Sequence, residues 1–161
     1  TNSVLYFNQK IYQELAAVNS WGVIHLYSQT YNSIYSVERS RFNSSPFIDF
    51  TKERLSSNCF IDMSLNDDSD LLLLACNGIA YVFSLNGKIK TSMPVSINNP
   101  KHVIAIGDDW LVFNDDGIAL SVNTNTKYRL PPSSIPLVDV QSKNNSIAIL
   151  SLNQILILDV K

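Results

Sequence analysis

The stretch LLLLACNGIAYVFSL (residues 71–85) decides the fold of this chain. An apolar run from Leu71 to Cys76 and a second run from Ile79 to Leu85 flank the dipeptide Asn77-Gly78. A short, continuously apolar run between turn formers is typical of a strand buried on both faces. Asn-Gly between two such runs predicts a β-hairpin, with a type I′ turn in which both residues take positive φ.

The same arrangement of a tight turn followed by an apolar run recurs along the chain. Comparable runs begin at Val23, Ile79, Ile118 and Ile155. From Asn77 to Asp116 is 39 residues, and from Asp116 to Asn153 is 37. A period near forty that is built from short strands predicts the blades of a β-propeller.

We therefore expect an all-β chain that forms a partial β-propeller over residues 1–161. An irregular blade occupies 1–38, an insertion 39–57, and antiparallel four-stranded blades 58–93 and 101–130, with an incomplete blade at 137–161. The count is slightly under four blades, whereas closed propellers usually have 4–8. The chain is accordingly expected to be a fragment, or to have its missing blades elsewhere in a longer protein.

Composition restricts the classes of partner. The chain has 14 acidic and 12 basic residues, a net charge of −2, which argues against a dedicated nucleic-acid surface. Nothing resembles a signal peptide, and no apolar stretch reaches the ~18 residues of a membrane helix. Cys59 and Cys76 lack metal-ligand spacing and do not form a disulfide framework, so Cys76 is expected as a buried apolar group. These features predict a reducing, intracellular setting.

No arrangement of residues in the sequence is typical of a catalytic centre or a cofactor site. His25 and His102 have no Cys, Asp or Glu partner at ligand spacing, which disfavours a metal. The segment from Asp67 to Asp70 lacks the glycine and the distal glutamate of a calcium loop and is expected as a plain turn. Asp62 and Asp139 are the acidic residues on the predicted inner strands. The chain is predicted to be neither an enzyme nor a cofactor-binding protein.

Aromatic residues supply the candidates for contacts with other proteins. Trp21 lies in a tight turn beside Gly22 and is expected to be exposed, whereas Trp110 opens a strand and is expected in the core. Tyrosines alternate around the next hairpin, where packing at the rim of the blade is as plausible as partner contact. An insertion with three phenylalanines is expected to pack across the propeller side or to meet another chain. The interface candidates are Trp21, Tyr27, Tyr31, Tyr35, Phe42, Phe47 and Phe50.

Five segments, in this order, resemble one known family. They are Leu15–Ile24 (LAAVNSWGVI), Tyr35–Glu38 with the insertion after it, Leu72–Cys76 (LLLAC), Gly107–Leu111 (GDDWL) and the proline-containing link Leu130–Val138. The family is the replisome-hub family of chromosome transmission fidelity and acidic nucleoplasmic DNA-binding proteins, and the resemblance is to its SepB-type propeller. This sequence lacks the Trp-Asp and Gly-His pairs of WD40 repeats, so it predicts a divergent propeller.

The resemblance implies a non-catalytic scaffold of the nucleus that acts in DNA replication and sister chromatid cohesion. Members of the family form homotrimers through the propeller and link GINS, a component of the replicative helicase, to DNA polymerase alpha. Their partner peptides dock on a helical domain that has no counterpart in these residues, so no peptide-binding residue is carried over. Direct nucleic-acid binding and membrane binding are not expected.

Two other classes of protein stay open. A propeller of a coat, nuclear-pore or ubiquitin-ligase assembly predicts the same fold without a trimer. A propeller enzyme would need polar residues that converge on the central channel from the inner strands, where Asp62 and Asp139 lie.

Overall fold

The computed structural model describes residues 14–19, 21–38, 41–143 and 145–160, except for the side chains of Arg41 and Phe42. It confirms the predicted all-β propeller, with four antiparallel sheets arranged as consecutive blades. Blade 1 contains β1 (Leu15–Val18), β2 (Ile24–Ser28), β3 (Ser33–Glu38), β4 (Arg41–Phe42) and β5 (Ile48–Asp49). Blade 2 contains β6 (Phe60–Leu65), β7 (Leu71–Ala75), β8 (Ile79–Phe83) and β9 (Ile89–Pro94).

Blade 3 contains β10 (Pro100–Ile106), β11 (Asp109–Asn114), β12 (Ile118–Ser121) and β13 (Lys127–Arg129). A 3₁₀ turn at Pro132–Ser134 leads to blade 4, with β14 (Leu137–Lys143), β15 (Ser146–Ser151) and β16 (Ile155–Asp159). In blades 2 to 4 the strands pair in chain order, as in a meander. None of the described elements is a helix long and apolar enough to cross a membrane.

The apolar cores lie between consecutive blades. All five residues of β7, Leu71–Ala75, are fully buried. Leu71 and Leu73 belong to the cluster shared with blade 1, whereas Leu72 and Leu74 belong to the cluster shared with blade 3. Successive side chains of a strand point to opposite faces, so a strand between two blades must be apolar throughout. Each fully buried leucine contributes about 2 kcal/mol of transfer free energy.

The hairpin turn after β7 differs from the predicted type I′ turn. Gly78 has φ +77°, whereas Asn77 is outside the positive-φ region. The N–H of Gly78 donates to the carbonyl oxygen of Ala75 at 2.9 Å. This is a three-residue loop, a type I turn closed by a left-handed glycine. The prediction was wrong because the two hairpin types share the Asn-Gly signal and differ by one residue in loop length.

Cys59 and Cys76 form a disulfide, with 5.4 Å between their Cα atoms. They lie opposite each other where β6 and β7 meet, and the N–H of Cys76 donates to the carbonyl oxygen of Cys59 at 2.9 Å. Both residues are exposed. The expectation of no disulfide, and that of a buried Cys76, are therefore both wrong. The buried strand ends at Ala75, so Cys76 lies in the turn that follows and its side chain is exposed.

The insertion packs against the side of blades 1 and 2. Phe50 is buried, and its ring lies 5.0 Å from that of Phe60 between ring centroids. Phe47 is half-buried and stacks on His25, with 4.2 Å between the ring centroids and 19° between the planes. β4 and β5, within the insertion, both pair with β3. The insertion thus supplies the outer strands of blade 1 and part of its core.

His25 is buried in this contact. Its Nδ1 atom finds no hydrogen-bond partner among the residues described. Burial lowers the pKa of His25 to about 4, and a hydrogen bond with the backbone of Tyr35 opposes this shift. The imidazole is therefore neutral at pH 7, and it packs as an aromatic ring against Phe47.

Acidification should destabilise the fold through His25. The folded-state pKa is about 4, below the ordinary value of 6.5. Between these values the unfolded chain binds a proton that the folded chain does not, so stability is lost as pH falls through this window, by up to about 3 kcal/mol. His25→Phe keeps the ring stack and removes the titration. Urea unfolding at pH 7 and pH 4.5 should show the wild type losing more stability than the variant. Equal losses would contradict the assignment.

Candidate functional site: the central channel and the blade ends

The inner strands of the four blades, β1, β6, β10 and β14, line a channel of about 650 Å³. Consecutive inner strands pack side by side, β1 with β6, β6 with β10 and β10 with β14. The polar side chains along the channel include Asn19, Asp62, His102, Asp139, Gln141 and Lys143. The channel is thus the place where the structure brings the two inner-strand aspartates of the sequence analysis together.

Three of these residues occupy one repeated position. The register of the inner strand shifts between Phe60 and Asp62 in blade 2, between Pro100 and His102 in blade 3, and between Leu137 and Asp139 in blade 4. A bulge leaves one extra residue of the strand unpaired, and pairing resumes at the residue after it. Asp62, His102 and Asp139 are the residues that follow these shifts, and all three line the channel.

Asp62 connects two blades through backbone hydrogen bonds. Its Oδ1 accepts the N–H of Met63 at 2.9 Å, and its Oδ2 accepts the N–H of Val103 in blade 3 at 2.7 Å. Burial raises the pKa of this carboxyl, the two N–H donors and His102 oppose the rise, and Asp139 adds to it. Asp62 is therefore a carboxylate whose two oxygens both already accept a hydrogen bond from the chain.

The channel offers limited chemistry. Among the described residues no cluster of three His, Cys, Asp or Glu side chains could hold a metal ion. Asp62 is the channel carboxylate whose pKa burial raises, and each of its two oxygens accepts a hydrogen bond from a backbone N–H group. A general base needs a free lone pair within reach of the proton that it removes. The arrangement therefore favours a structural function for Asp62.

Trp21 is the most exposed aromatic side chain that the structure describes, with 77% of its surface accessible. The turn around it is fixed, because Asn19 Oδ1 accepts the N–H groups of Trp21 at 3.1 Å and Val23 at 3.0 Å. The indole Nε1 donates to the carbonyl oxygen of Asp67 in blade 2 at 3.2 Å. The backbone N–H of Asp67 in turn donates to the carbonyl oxygen of Gly107 in blade 3. Trp21 is thus held in place at the end of the blades where the first two strands of each sheet are joined.

The structure separates the aromatic residues that the sequence grouped as interface candidates. Tyr27 and Phe50 are buried in the core between blades 1 and 2, so they offer no surface. Tyr31 is 48% exposed and packs edge-on against the half-buried Tyr35. Trp21 and Tyr31 lie in the turns at opposite ends of β2.

Two further interface candidates lie in the insertion. The half-buried Phe47 is stacked on His25. The side chain of Phe42 is not among those that the structure describes. Among all seven candidates, Trp21 and Tyr31 are therefore the exposed ones that the structure describes, and they do not form a common patch. The sequence analysis missed Asn19, whose anchoring of Trp21 is indicated by the Asn-Ser-Trp-Gly turn pattern.

The raised pKa of Asp62 predicts a pH effect of opposite sign to that of His25. Between the ordinary value of 3.8 and the raised value, the folded protein keeps a proton that the unfolded chain has released. The stability of the wild type therefore falls as pH rises through this window. Asp62→Asn does not titrate, so the stability of the wild type relative to this variant should fall between pH 3 and pH 7 in urea unfolding. A difference that stays constant over this range would refute the assignment.

Comparisons with known proteins identify the fold and no family. No family model matches the chain, and no curated protein matches it. Solved structures do match, among them YCF48 bound to D1 peptide, with a TM-score of 0.69, 13% identity, and coverage of 94% of this chain and 52% of that one. A chain of the mitotic checkpoint complex gives a TM-score of 0.67, 9% identity, and coverage of 92% and 48%.

Virginiamycin B lyase from Staphylococcus aureus is a third similar structure, with a TM-score of 0.64, 14% identity, and coverage of 88% and 49%. The chain thus spans about half the length of the solved chains that it matches. The three proteins differ from one another in function, and such low identities establish the β-propeller fold alone.

Proposed function

We propose that this chain is a non-catalytic platform for binding other proteins, with Trp21 as its principal contact residue. The observation that carries the proposal is the fixed, exposed indole of Trp21, which is 77% accessible and hydrogen-bonded to the next blade. A large apolar ring that is already fixed loses little conformational entropy on binding. Tryptophan is also enriched among residues that dominate binding energy at protein interfaces.

The surroundings of Trp21 indicate the chemistry of the partner. Asp68 and Asp108 are exposed in the turns of blades 2 and 3 at the same end of the propeller. Acidic groups beside an aromatic face favour a basic segment, because arginine or lysine can pair with the carboxylates and lie over the indole. We therefore expect a partner protein with a basic, extended segment.

The geometry of the channel supports a platform more than an enzyme. Both oxygens of Asp62 accept backbone N–H groups, one of them from the neighbouring blade. A carboxylate used in this way stabilises the packing of the blades and leaves the loops free to carry recognition. An enzyme would depend on Asp139, whose side chain lies in the same channel. Loss of the protein's cellular function in a folded Asp139→Ala variant that retained its partners would favour the enzyme.

Trp21→Ala should weaken partner binding without unfolding the propeller. The indole lies on the surface, and its removal takes away the contact area and one hydrogen bond to Asp67. Cross-linking mass spectrometry on the natural-length protein in its own cells should recover partner proteins at least about fivefold less than with the wild type. The matched control is Tyr128→Ala, since Tyr128 is 51% exposed on β13. Undiminished recovery with Trp21→Ala would refute the contact function.

A narrower proposal is that the platform belongs to a homotrimeric replication hub in the nucleus, which binds GINS and DNA polymerase alpha through a separate helical domain. Its support is the ordered resemblance of segments from Leu15–Ile24 to Leu130–Val138. The matching solved structures lend no support to a replication function. The Cys59–Cys76 disulfide adds a condition, because structural disulfides are rare in the reducing nucleus. A nuclear protein would carry the two cysteines as thiols.

The oligomeric mass distinguishes the hub from other assemblies. Size exclusion with light scattering on the natural-length protein, at micromolar concentration, should give three times the chain mass if the propeller trimerises. Trimerisation would multiply weak partner contacts through effective concentration. A mass of one chain would overturn the proposal of a replication hub but not that of a protein-binding platform. It would favour a propeller of a coat, nuclear-pore or ubiquitin-ligase assembly.

A further inference from the structure

The Cys59–Cys76 disulfide lies where the insertion ends and blade 2 begins. Cys59 directly precedes β6 and Cys76 directly follows β7, at the end of the hairpin opposite to its turn. The chain has two cysteines, and both are in this bond. Because both residues are exposed, a reductant in solution can approach the bond without unfolding of the blade.

The pairing of β6 with β7 does not require the disulfide. Five residue pairs align the two strands, from Phe60 with Ala75 to Leu65 with Leu71. Phe60 and Ala75, the pair next to the cysteines, are buried in the core between blades 1 and 2. The disulfide is therefore an addition to a hairpin that its backbone hydrogen bonds and its core already specify.

The exit segment of the insertion, residues 55–58, is attached to blade 2 by polar contacts near the disulfide. Ser56 Oγ lies 2.5 Å from the hydroxyl oxygen of Tyr81, and the N–H of Ser56 donates to the same oxygen at 3.2 Å. Asn77 Nδ2 donates to Ser56 Oγ at 3.3 Å. Asn77 follows one cysteine directly and the exit segment precedes the other, so the disulfide ties together the two pieces of chain that these hydrogen bonds join.

The exit segment depends on the disulfide more than the strands do. Ser56 and Asn77 are exposed, so water can replace the hydrogen bond between them at little cost in free energy. Beyond the paired strands, the backbone link between the cysteines is one hydrogen bond, from the N–H of Cys76 to the carbonyl oxygen of Cys59 at 2.9 Å. A hydrogen bond at the end of a ladder opens more easily than those inside it. Loss of the disulfide would therefore loosen this end of the hairpin first.

The two thiols would stay close to each other after reduction. Their Cα atoms are 5.4 Å apart, within the range that a disulfide spans, and the register of β6 with β7 keeps this separation without the bond. Two groups held in this way meet at a high effective concentration, which favours renewed formation of the bond. The pair can accordingly open and close while the strands remain paired.

We propose that Cys59 and Cys76 form a reversible redox clasp, whose opening releases the exit segment from the turn at Asn77 and leaves the propeller folded. The clasp is closed in an oxidising compartment and open where dithiol reductants are present. The proposal is independent of the contact function of Trp21, which lies at the other end of the blades, beside the turn between β6 and β7.

Opening of the clasp is a two-electron exchange with a dithiol. A thiolate of the dithiol attacks the sulfur of one cysteine, the bond between the cysteines breaks, and the other cysteine leaves as a thiolate that takes up a proton. The second thiolate of the dithiol then attacks the mixed disulfide and releases the first cysteine, which is also protonated. The dithiol is oxidised to a disulfide, the protein is reduced to two thiols, and the two protons that the dithiol loses are those that the cysteines gain.

Reduction kinetics distinguish the clasp from a structural disulfide. The natural-length protein is incubated with dithiothreitol at urea concentrations below its unfolding transition, and alkylation with mass spectrometry follows the thiols of Cys59 and Cys76. A bond that is attacked in the folded protein should be reduced at a rate that changes by less than about twofold over this range. A rate that rises steeply with urea would show that the bond opens only on unfolding, and would overturn the proposal.

Hydrogen exchange measures the release of the exit segment. The N–H of Ser56 donates to the Tyr81 hydroxyl, and the N–H of Cys59 donates to Ser57 Oγ, so both report on this segment. Exchange in a peptide that covers residues 55–59 should become at least about fivefold faster on reduction, with β7 unchanged. Removal of dithiothreitol and addition of oxidised glutathione should restore the slow exchange.

The matched control is the double variant Cys59→Ser with Cys76→Ser. It should fold, and its exit segment should exchange fast with or without reductant. Unchanged exchange of residues 55–59 in the fully reduced wild type would contradict the clasp. Faster exchange of β7 on reduction, or a double variant that does not fold, would show that the bond is required for the blade and would also overturn the proposal.

Discussion

The burial of each sheet between two neighbouring blades is the constraint on which the rest of this structure depends. β7 illustrates it, because all five of its side chains, Leu71–Ala75, are fully buried, and they alternate between two different cores. A single blade of this kind would expose both of its apolar faces, so a blade is stable only within a stack. Hydrogen bonds also join neighbouring blades, since Asp62 accepts an N–H from its own blade and another from the next. Stability therefore increases with each blade added.

Because the sheets are stabilised by packing between blades, the side chains of the turns contribute little to the cores. The glycines at the hairpin ends close their loops through local bonds, such as that from the N–H of Gly78 to the carbonyl oxygen of Ala75. The side chains between strand ends can then vary without disturbing the cores. Trp21 uses this freedom, because its turn is fixed by Asn19 and its indole lies outside every core. A propeller can accordingly carry recognition on its ends while its blades stay alike, which is why the fold alone does not identify a function.

The sequence predicted the blades because their signal is local. An apolar run, a turn with glycine and a second apolar run are all within fifteen residues, and the runs at 71–76 and 79–85 are observed as the strands Leu71–Ala75 and Ile79–Phe83. The interface candidates were less predictable, because exposure depends on what other elements cover. Tyr27 and Tyr31 look alike in the sequence, yet the insertion with Phe50 and the next blade with Phe60 cover the former and leave the latter on the surface. The disulfide depended on strand register, which places Cys59 opposite Cys76 across 17 residues.

The residue after the repeated bulge has different hydrogen bonds in different blades. Asp62 accepts a backbone N–H from its own blade and one from the next, whereas Asp139 accepts one from its own blade. Asp62 and Asp139 have the same register, the same local hydrogen bond and the same place in the channel, and they differ in whether a following blade supplies a second donor. A carboxylate with both oxygens satisfied by backbone groups is a poor proton acceptor for a substrate, since its removal from those donors costs their hydrogen bonds. If every bulge aspartate were satisfied in this way in a completed propeller, the channel would be held together by its polar groups. Recognition would then fall to the exposed turns, where Trp21 lies.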